Sequence, residues 1–136
     1  MQIIDTICEA VICSIRFDAL NSDLAIEFEH NSTGRKWRFT ASGVVEYAGW
    51  DFRFTNIVQE IAVYSDLDSD SVEVKDLVFG ALEGRARGND EDVNSPLVNK
   101  LLLQIAKGQL QVVSLEAVFG SEMIIVAKNF ELSSLR

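Results

Sequence analysis

The sequence holds a single proline, a single histidine and two cysteines in 136 residues, and each scarcity excludes something. One proline and eight glycines leave little room for a flexible linker, and the length suits one domain closing one core. With one histidine, any dyad or triad that depends on imidazole has to use His30. That residue opens the turn-forming run His30-Asn31-Ser32-Thr33-Gly34, and no nucleophile elbow occurs anywhere in the chain. Cys8 and Cys13 match neither a redox Cys-x-x-Cys pair nor half of a zinc site. Within one strand they would project to opposite faces, which does not suit a disulfide. They are expected to be buried, reduced thiols. No apolar run reaches the length of a membrane span. The start, Met1-Gln2-Ile3-Ile4-Asp5, has no basic stretch, and Asp5 and Glu9 interrupt its apolar character, so it does not read as a secretory signal. A cytoplasmic protein is the expectation.

Positive charge is also scarce. Twelve Lys and Arg stand against 21 Asp and Glu, a formal net charge of −9. So acidic a surface repels phosphate backbones, which argues against nucleic acid and anionic membranes as partners. It would steer a basic partner toward the protein. The 48% hydrophobic and 24% charged fractions are those of a folded globular chain.

What is present reads as β, then α, then β. Val11 to Asp18 forms a strand that turns through Ala19-Leu20-Asn21-Ser22. Leu24, Ile26 and Phe28 alternate with Ala25, Glu27 and Glu29, and Trp37, Phe39 and Ala41 alternate with Lys36, Arg38 and Thr40. These form a hairpin in which Glu27 and Glu29 pair across strands with basic residues. Val44 to Tyr47 continues the β pattern, a turn is expected at Ala48-Gly49, and Trp50, Phe52 and Phe54 alternate beyond it. Ile57 to Tyr64 adds one more strand. The extreme N-terminus also fits a helical face through Ile3, Ile4, Ile7, Cys8, Val11 and Ile12.

Asp70 with Glu73 reads as a capping box opening a helix with the stripe Val74, Leu77, Val78, Ala81 and Leu82, stopped by Gly84. Ser95 and Pro96 mark a second helix, with Leu97, Val98, Leu101, Leu102 and Ile105 on one face and Lys107-Gly108 at its end. Between them, residues 85–94 form a long polar connection expected to be mobile. Leu110 to Phe119 and Glu122 to Leu132 flank Gly120-Ser121, which signals a two-residue type II′ hairpin. The expected fold is therefore α+β: a mostly antiparallel sheet of about six to eight strands with two helices in the second half.

Candidate sites are few. Asp66-Leu67-Asp68-Ser69-Asp70 resembles the opening of an EF-hand loop, but Ser71 replaces the required glycine and Leu77 stands where the bidentate glutamate belongs. An acidic loop that caps the next helix accounts for it, and no metal or cofactor is expected. Gly84-Arg85-Ala86-Arg87-Gly88 could follow a phosphate backbone, but Asp90-Glu91-Asp92 cancel that field, and a solvated helix exit is the better reading. Trp37, Trp50, Phe52 and Phe54 beside Arg38 and Arg53 could stack bases or sugars. Their alternation instead predicts one sheet face buried as core, with Trp50 partly exposed. General acid–base work needs two carboxyls in different environments within a cleft, and exposed solubilising charge is the simpler account of the chain's carboxylate pairs.

Ile15-Arg16-Phe17-Asp18, Leu24-Ala25-Ile26-Glu27-Phe28, Trp37-Arg38-Phe39 and Gly43-Val44 resemble the N-terminal sheet of small bacterial immunity-type proteins. Gly120-Ser121-Glu122 with Ile125-Val126-Ala127-Lys128 is similar to their C-terminal hairpin, so the resemblance spans about half the chain. It implies a non-enzymatic cytoplasmic protein that binds and blocks a toxin domain. An acidic inhibitor would associate rapidly with a basic toxin. Such a partner would meet Asp66, Asp68, Asp70, Glu73 and Asp76, or a second cluster at Asp90, Glu91 and Asp92. The alternative is a small ligand held near Trp50 and Arg53.

Overall fold

The computed structural model describes residues 1–52, 56–88, 94–118 and 120–135. Seven strands form one antiparallel sheet: β1 (Gln2–Ile3), β2 (Val11–Asp18), β3 (Asp23–Glu29), β4 (Lys36–Trp50), β5 (Val58–Tyr64), β6 (Gln111–Ala117) and β7 (Glu122–Leu135). Their spatial order is β1-β5-β6-β7-β4-β3-β2. Helices α1 (Val72–Glu83) and α2 (Pro96–Ala106) lie in the second half. The α+β architecture expected from periodicity is the one observed.

β4 is a single strand of 15 residues paired along its length with the 14 residues of β7. The turn expected at Ala48-Gly49 is absent. The strand runs on to Trp50, and the chain turns after it at Asp51, which has a φ of +59°. Two irregularities lie mid-strand instead: Gly43 at φ +65° and a bulge between Val44 and Glu46. Bulges bend a strand and increase its twist. Here the bend lets the two ends of the sheet share one interior. Ile26, Phe28 and Phe39 from one end pack in the same buried cluster as Ile61, Leu115, Met123 and Ile125 from the other. The N-terminal segment completes the curl. Ile12 N–H donates to Asn56 O, Glu9 N–H to Val58 O and Val58 N–H to Ala10 O, and Val11 bridges Ile57. Residues 5–7 form a 3-10 turn, so the helical reading of the N-terminus is replaced by a short strand and a single turn.

The opposite face of β5, β6 and β7 is covered by the helices. Ala62, Tyr64, Val112, Ile124 and Val126 pack against Val74, Val78, Phe79, Val98, Leu101 and Ile105. This explains why β6 and β7 are apolar on both faces. α2 starts as its sequence predicts, with Ser95 Oγ accepting from Val98 N–H and Pro96 in the first turn. α1 does not. Its N-cap is Ser71, whose Oγ accepts from Val74 N–H at 3.1 Å, and Asp70 is an exposed turn residue. The capping box lies earlier, where Ser65 and Asp68 bracket a 3-10 turn over Asp66–Asp68. Gly84 ends α1 with a φ of +72°. Residues 53–55, which include Arg53 and Phe54, and residues 89–93, most of the polar connection, lie outside the described residues.

Trp37 packs against the inner cluster and Trp50 against the helix-covered one. Trp37 and Trp50 therefore do not share one stacking face, because Trp50 is the far end of β4 rather than the start of another strand. Phe52 is 41% exposed. Cys13 is exposed and Cys8 only half-buried, which corrects the expectation of two buried thiols; both are free. The anticipated Glu27 and Glu29 pairing is present in register, opposite Arg38 and Lys36. Glu27 Oε1 accepts from both Arg38 (2.9 Å) and Arg16 (3.2 Å).

The β6–β7 hairpin also differs from its expected form. Ala117 N–H donates to Ser121 O and Gly120 N–H to Ala117 O, so the connection is three residues long with Gly120 last, at φ +88°. Ser121 is 2% exposed, and its Oγ contacts Asp51 O at 2.5 Å and Asn56 Oδ1 at 2.8 Å. One hydroxyl hydrogen cannot serve two acceptors, so the Asn56 amide fits better with its NH2 turned toward Ser121. This knot ties the exit of β4 to β7. Ser121→Ala leaves buried polar groups unsatisfied and is expected to cost about 1–3 kcal/mol, measured as a lower urea midpoint with an unchanged slope.

Candidate functional site

The sheet register brings together three residues that are far apart in the chain. Glu60 on β5 is directly opposite Glu116 on β6, which is directly opposite Glu122 on β7. Glu122 in turn faces Trp50 on β4. A transverse row of three glutamates thus crosses the helix-covered face and ends on an indole ring. Like charges placed directly opposite one another destabilise a sheet, so the row opposes the stability of the fold that holds it.

The row forms one wall of an open cleft of about 570 Å³. The other wall is the flank of α1 carrying Glu73, Asp76 and Gly80. Gly80 is what lets the helix approach so closely: a Cβ there would lie 2.9 Å from Ile124 Cδ1 and 3.6 Å from Trp50 Cη2. Five carboxylates therefore line the cleft, against two cations, Arg87 and the Met1 amino group. Both cations are held by aspartates. Arg87 Nε donates to Asp76 at 2.8 Å, and the Met1 amino group donates to Asp68 at 2.7 Å.

Local chemistry follows from this crowding. Burial and the neighbouring Glu116 push the Glu122 carboxyl above its ordinary value of 4.5. Burial and the Glu73 carboxylate, to which Tyr64 Oη donates at 3.2 Å, push the Tyr64 phenol up to about 12. Asp68 is shifted the other way by its hydrogen bonds from the Met1 amino group and Ser65 N–H.

Of the carboxylates singled out from sequence, the structure places Glu73 and Asp76 in the cleft and Asp66, Asp68 and Asp70 at the entry to α1. They do not form one uniform patch, since Asp68 and Asp76 already neutralise cations. Asp90, Glu91 and Asp92 lie outside the described residues, as does Arg53. Trp50 is half-buried and lines the cleft as its predicted exposure suggested. Glu60, Glu116 and Glu122 were missed, because only the cross-strand register unites them. No cluster of metal-ligating side chains occurs among the described residues. The His30 ring Nε2 lies 2.8 Å from the Thr6 carbonyl oxygen. Partial desolvation and the nearby Glu29 push the Cys13 thiol up, which disfavours thiolate chemistry.

An acid whose folded-state pKa exceeds its unfolded value binds its proton more tightly when folded. Protonation of Glu122 therefore stabilises the fold; that contribution is complete below the unfolded value and is lost as pH rises through the folded one. Glu122→Gln is expected to raise stability at pH 8 by up to about 1 kcal/mol. The gain should fade as pH drops below the ordinary value of 4.5, read from paired thermal melts. Comparisons with protein-family models, curated proteins and solved structures find no match to this chain, so its role rests on the chemistry of the cleft.

Proposed function

We propose that the chain is a non-enzymatic, cytoplasmic protein-binding module of immunity type, which captures a basic partner domain through the acidic cleft. The observation that carries this reading is the convergence of Glu60, Glu116, Glu122, Glu73 and Asp76 on one open cleft. A row of carboxylates kept in mutual repulsion is relieved when a cation arrives, so its unfavourable energy in the free protein becomes affinity in the complex. The net charge of −9 adds a long-range field that raises the encounter rate with a basic surface. No helix among the described residues is long and apolar enough to cross a membrane. The small-ligand alternative retains Trp50 as a wall of the same cleft. An open, carboxylate-lined cleft, however, lacks the enclosing apolar lining of a typical small-molecule site.

The reading is tested with a basic nuclease-type toxin domain captured at low salt and then identified. Its association rate should fall at least about tenfold between 50 and 500 mM salt, since screening acts on the encounter. The double variant Glu60→Gln with Glu73→Gln should slow association without lowering the melting temperature. Association that is independent of salt, or unchanged in the double variant, would remove the acidic cleft from the interface.

A further inference from the structure

We infer that the distal half of β7, from Asn129 to Leu135, is an acceptor edge for one extended, basic segment of a partner protein, added to the sheet as a further strand. This inference goes beyond the acidic-cleft reading and uses a different surface.

The two sides of β7 are unequally covered. On one side β4 pairs with it as far as Leu135. On the other, β6 begins at Gln111, opposite Ala127, because the chain arrives there from α2. From Asn129 to Leu135, β7 is therefore paired with β4 alone among the described residues. In a strand, every second backbone N–H and C=O points away from a given neighbour. Among the described residues, those in this stretch find no backbone partner beyond β4. Asp51 and Asn56, on either side of residues 53–55, are tied to Ser121 at the opposite, hairpin end of β7. Arg87, just before residues 89–93, lines the cleft beside Glu122 at that same end.

An exposed edge is a template for another strand, and proteins usually blunt it. The outer edges of this sheet are blunted. β1 has two residues, and β2 carries a bulge between Ile12 and Ser14 and is tied at Ile12 to Asn56. The distal half of β7 has an unbroken register and no proline.

The groove beside this edge fits the same occupant. It measures about 580 Å³, with the half-buried Phe130 and Leu132 on the β7 side and Ile4 and Val63 across from them. Phe39, which stacks on Phe130 at 5.5 Å, also lines it. An added strand turns alternate side chains into such a groove, and here those must be apolar. Both charged residues that line it, Asp5 and Glu131, are acidic. A lysine or arginine of the added strand opposite Glu131 completes a cross-strand ion pair.

The test adds to the intact, isotope-labelled protein a capped heptapeptide of alternating valine and lysine, and separately a peptide of the same composition with the alternation scrambled. By NMR the alternating peptide should shift the amides of Asn129 to Ser133 and the indole of Trp37, which faces Ser134. The Trp50 indole should stay unmoved, and hydrogen exchange of the free-edge amides should slow at least about tenfold. The scrambled peptide should bind at least about tenfold more weakly. Two further peptides carry N-methyl groups on all valine or on all lysine amides. Only one of these sets faces β7, so one peptide should bind like the parent and the other should lose binding. Glu131→Lys, at an exposed position, should weaken the alternating peptide about threefold with an unchanged melting temperature. Equal binding of the scrambled peptide, equal behaviour of the two methylated peptides, a response confined to Trp50, or none at about 1 mM peptide would each overturn the assignment. So would protection of the same amides that grows with protein concentration alone, which would make a second copy of this chain the occupant. The two readings fail separately. Salt-independent association of a basic toxin domain removes the acidic cleft and leaves the β7 result standing, and a silent β7 edge leaves the cleft reading untouched.

Discussion

The β4–β7 ladder is the constraint on which the rest of the structure depends. Its first half, in which Lys36 to Ser42 face Leu135 to Asn129, carries β3 and β2 on one side. Its second half, in which Glu46 to Trp50 face Val126 to Glu122, carries β6 and β5 on the other. Neither half alone could close a core. The bend at Gly43 and the adjacent bulge turns one half over the inner face of the other, and their apolar sides merge into one cluster. That leaves a single apolar face, the outer side of β5, β6 and β7, and both helices are used to cover it. The cleft exists because this cover is incomplete. α1 crosses the sheet from Tyr64 on β5 to Trp50 on β4 without reaching the glutamate row.

Strand and helix identity were legible where local periodicity and local punctuation agree. Leu24, Ile26 and Phe28 alternate and are all buried, and Ser95-Pro96 opens α2 as capping chemistry requires. Errors arose where two local signals competed. At the start of α1, Asp70 and Ser71 are both acceptable caps. Ser71 prevails because its Oγ reaches Val74 N–H, whose side chain is fully buried. At Ala48-Gly49 the small residues suggested a turn, but thirteen β4 residues find partners on β7, and that ladder overrides a weak local preference.

The candidate site was far less legible than the fold, and one misread turn accounts for much of the difference. A two-residue loop at Gly120-Ser121 would pair Phe119 with Glu122 and so place Glu116 opposite Ile125. The observed three-residue connection shifts the register and sets Glu116 against Glu122. Because side chains alternate along a strand, an odd shift changes the face as well as the neighbour. Glu60 joins the row only through the β5–β6 pairing, with both helices lying between those strands in sequence. The charge run Asp66 to Asp70 is conspicuous in the sequence, yet Asp68 serves as a cap and counter-ion and Asp70 is an exposed turn residue. The glutamates that converge are isolated among apolar residues.

That contrast bears on how the two acidic groups differ physically. Asp68 and Asp76 each gain a partner on folding, so their charge is accounted for within the molecule. Glu60, Glu116 and Glu122 are set opposite one another by folding, and burial, followed by the neighbouring Glu116, raises the pKa of Glu122. A hydrophobic residue at the centre of the row would relieve the repulsion. A stability argument alone therefore favours replacing Glu116. For the same reason the stabilising effect expected from neutralising the row and the loss of cation binding expected from it are two consequences of one interaction: relief of repulsion within the free protein removes the attraction available to a partner.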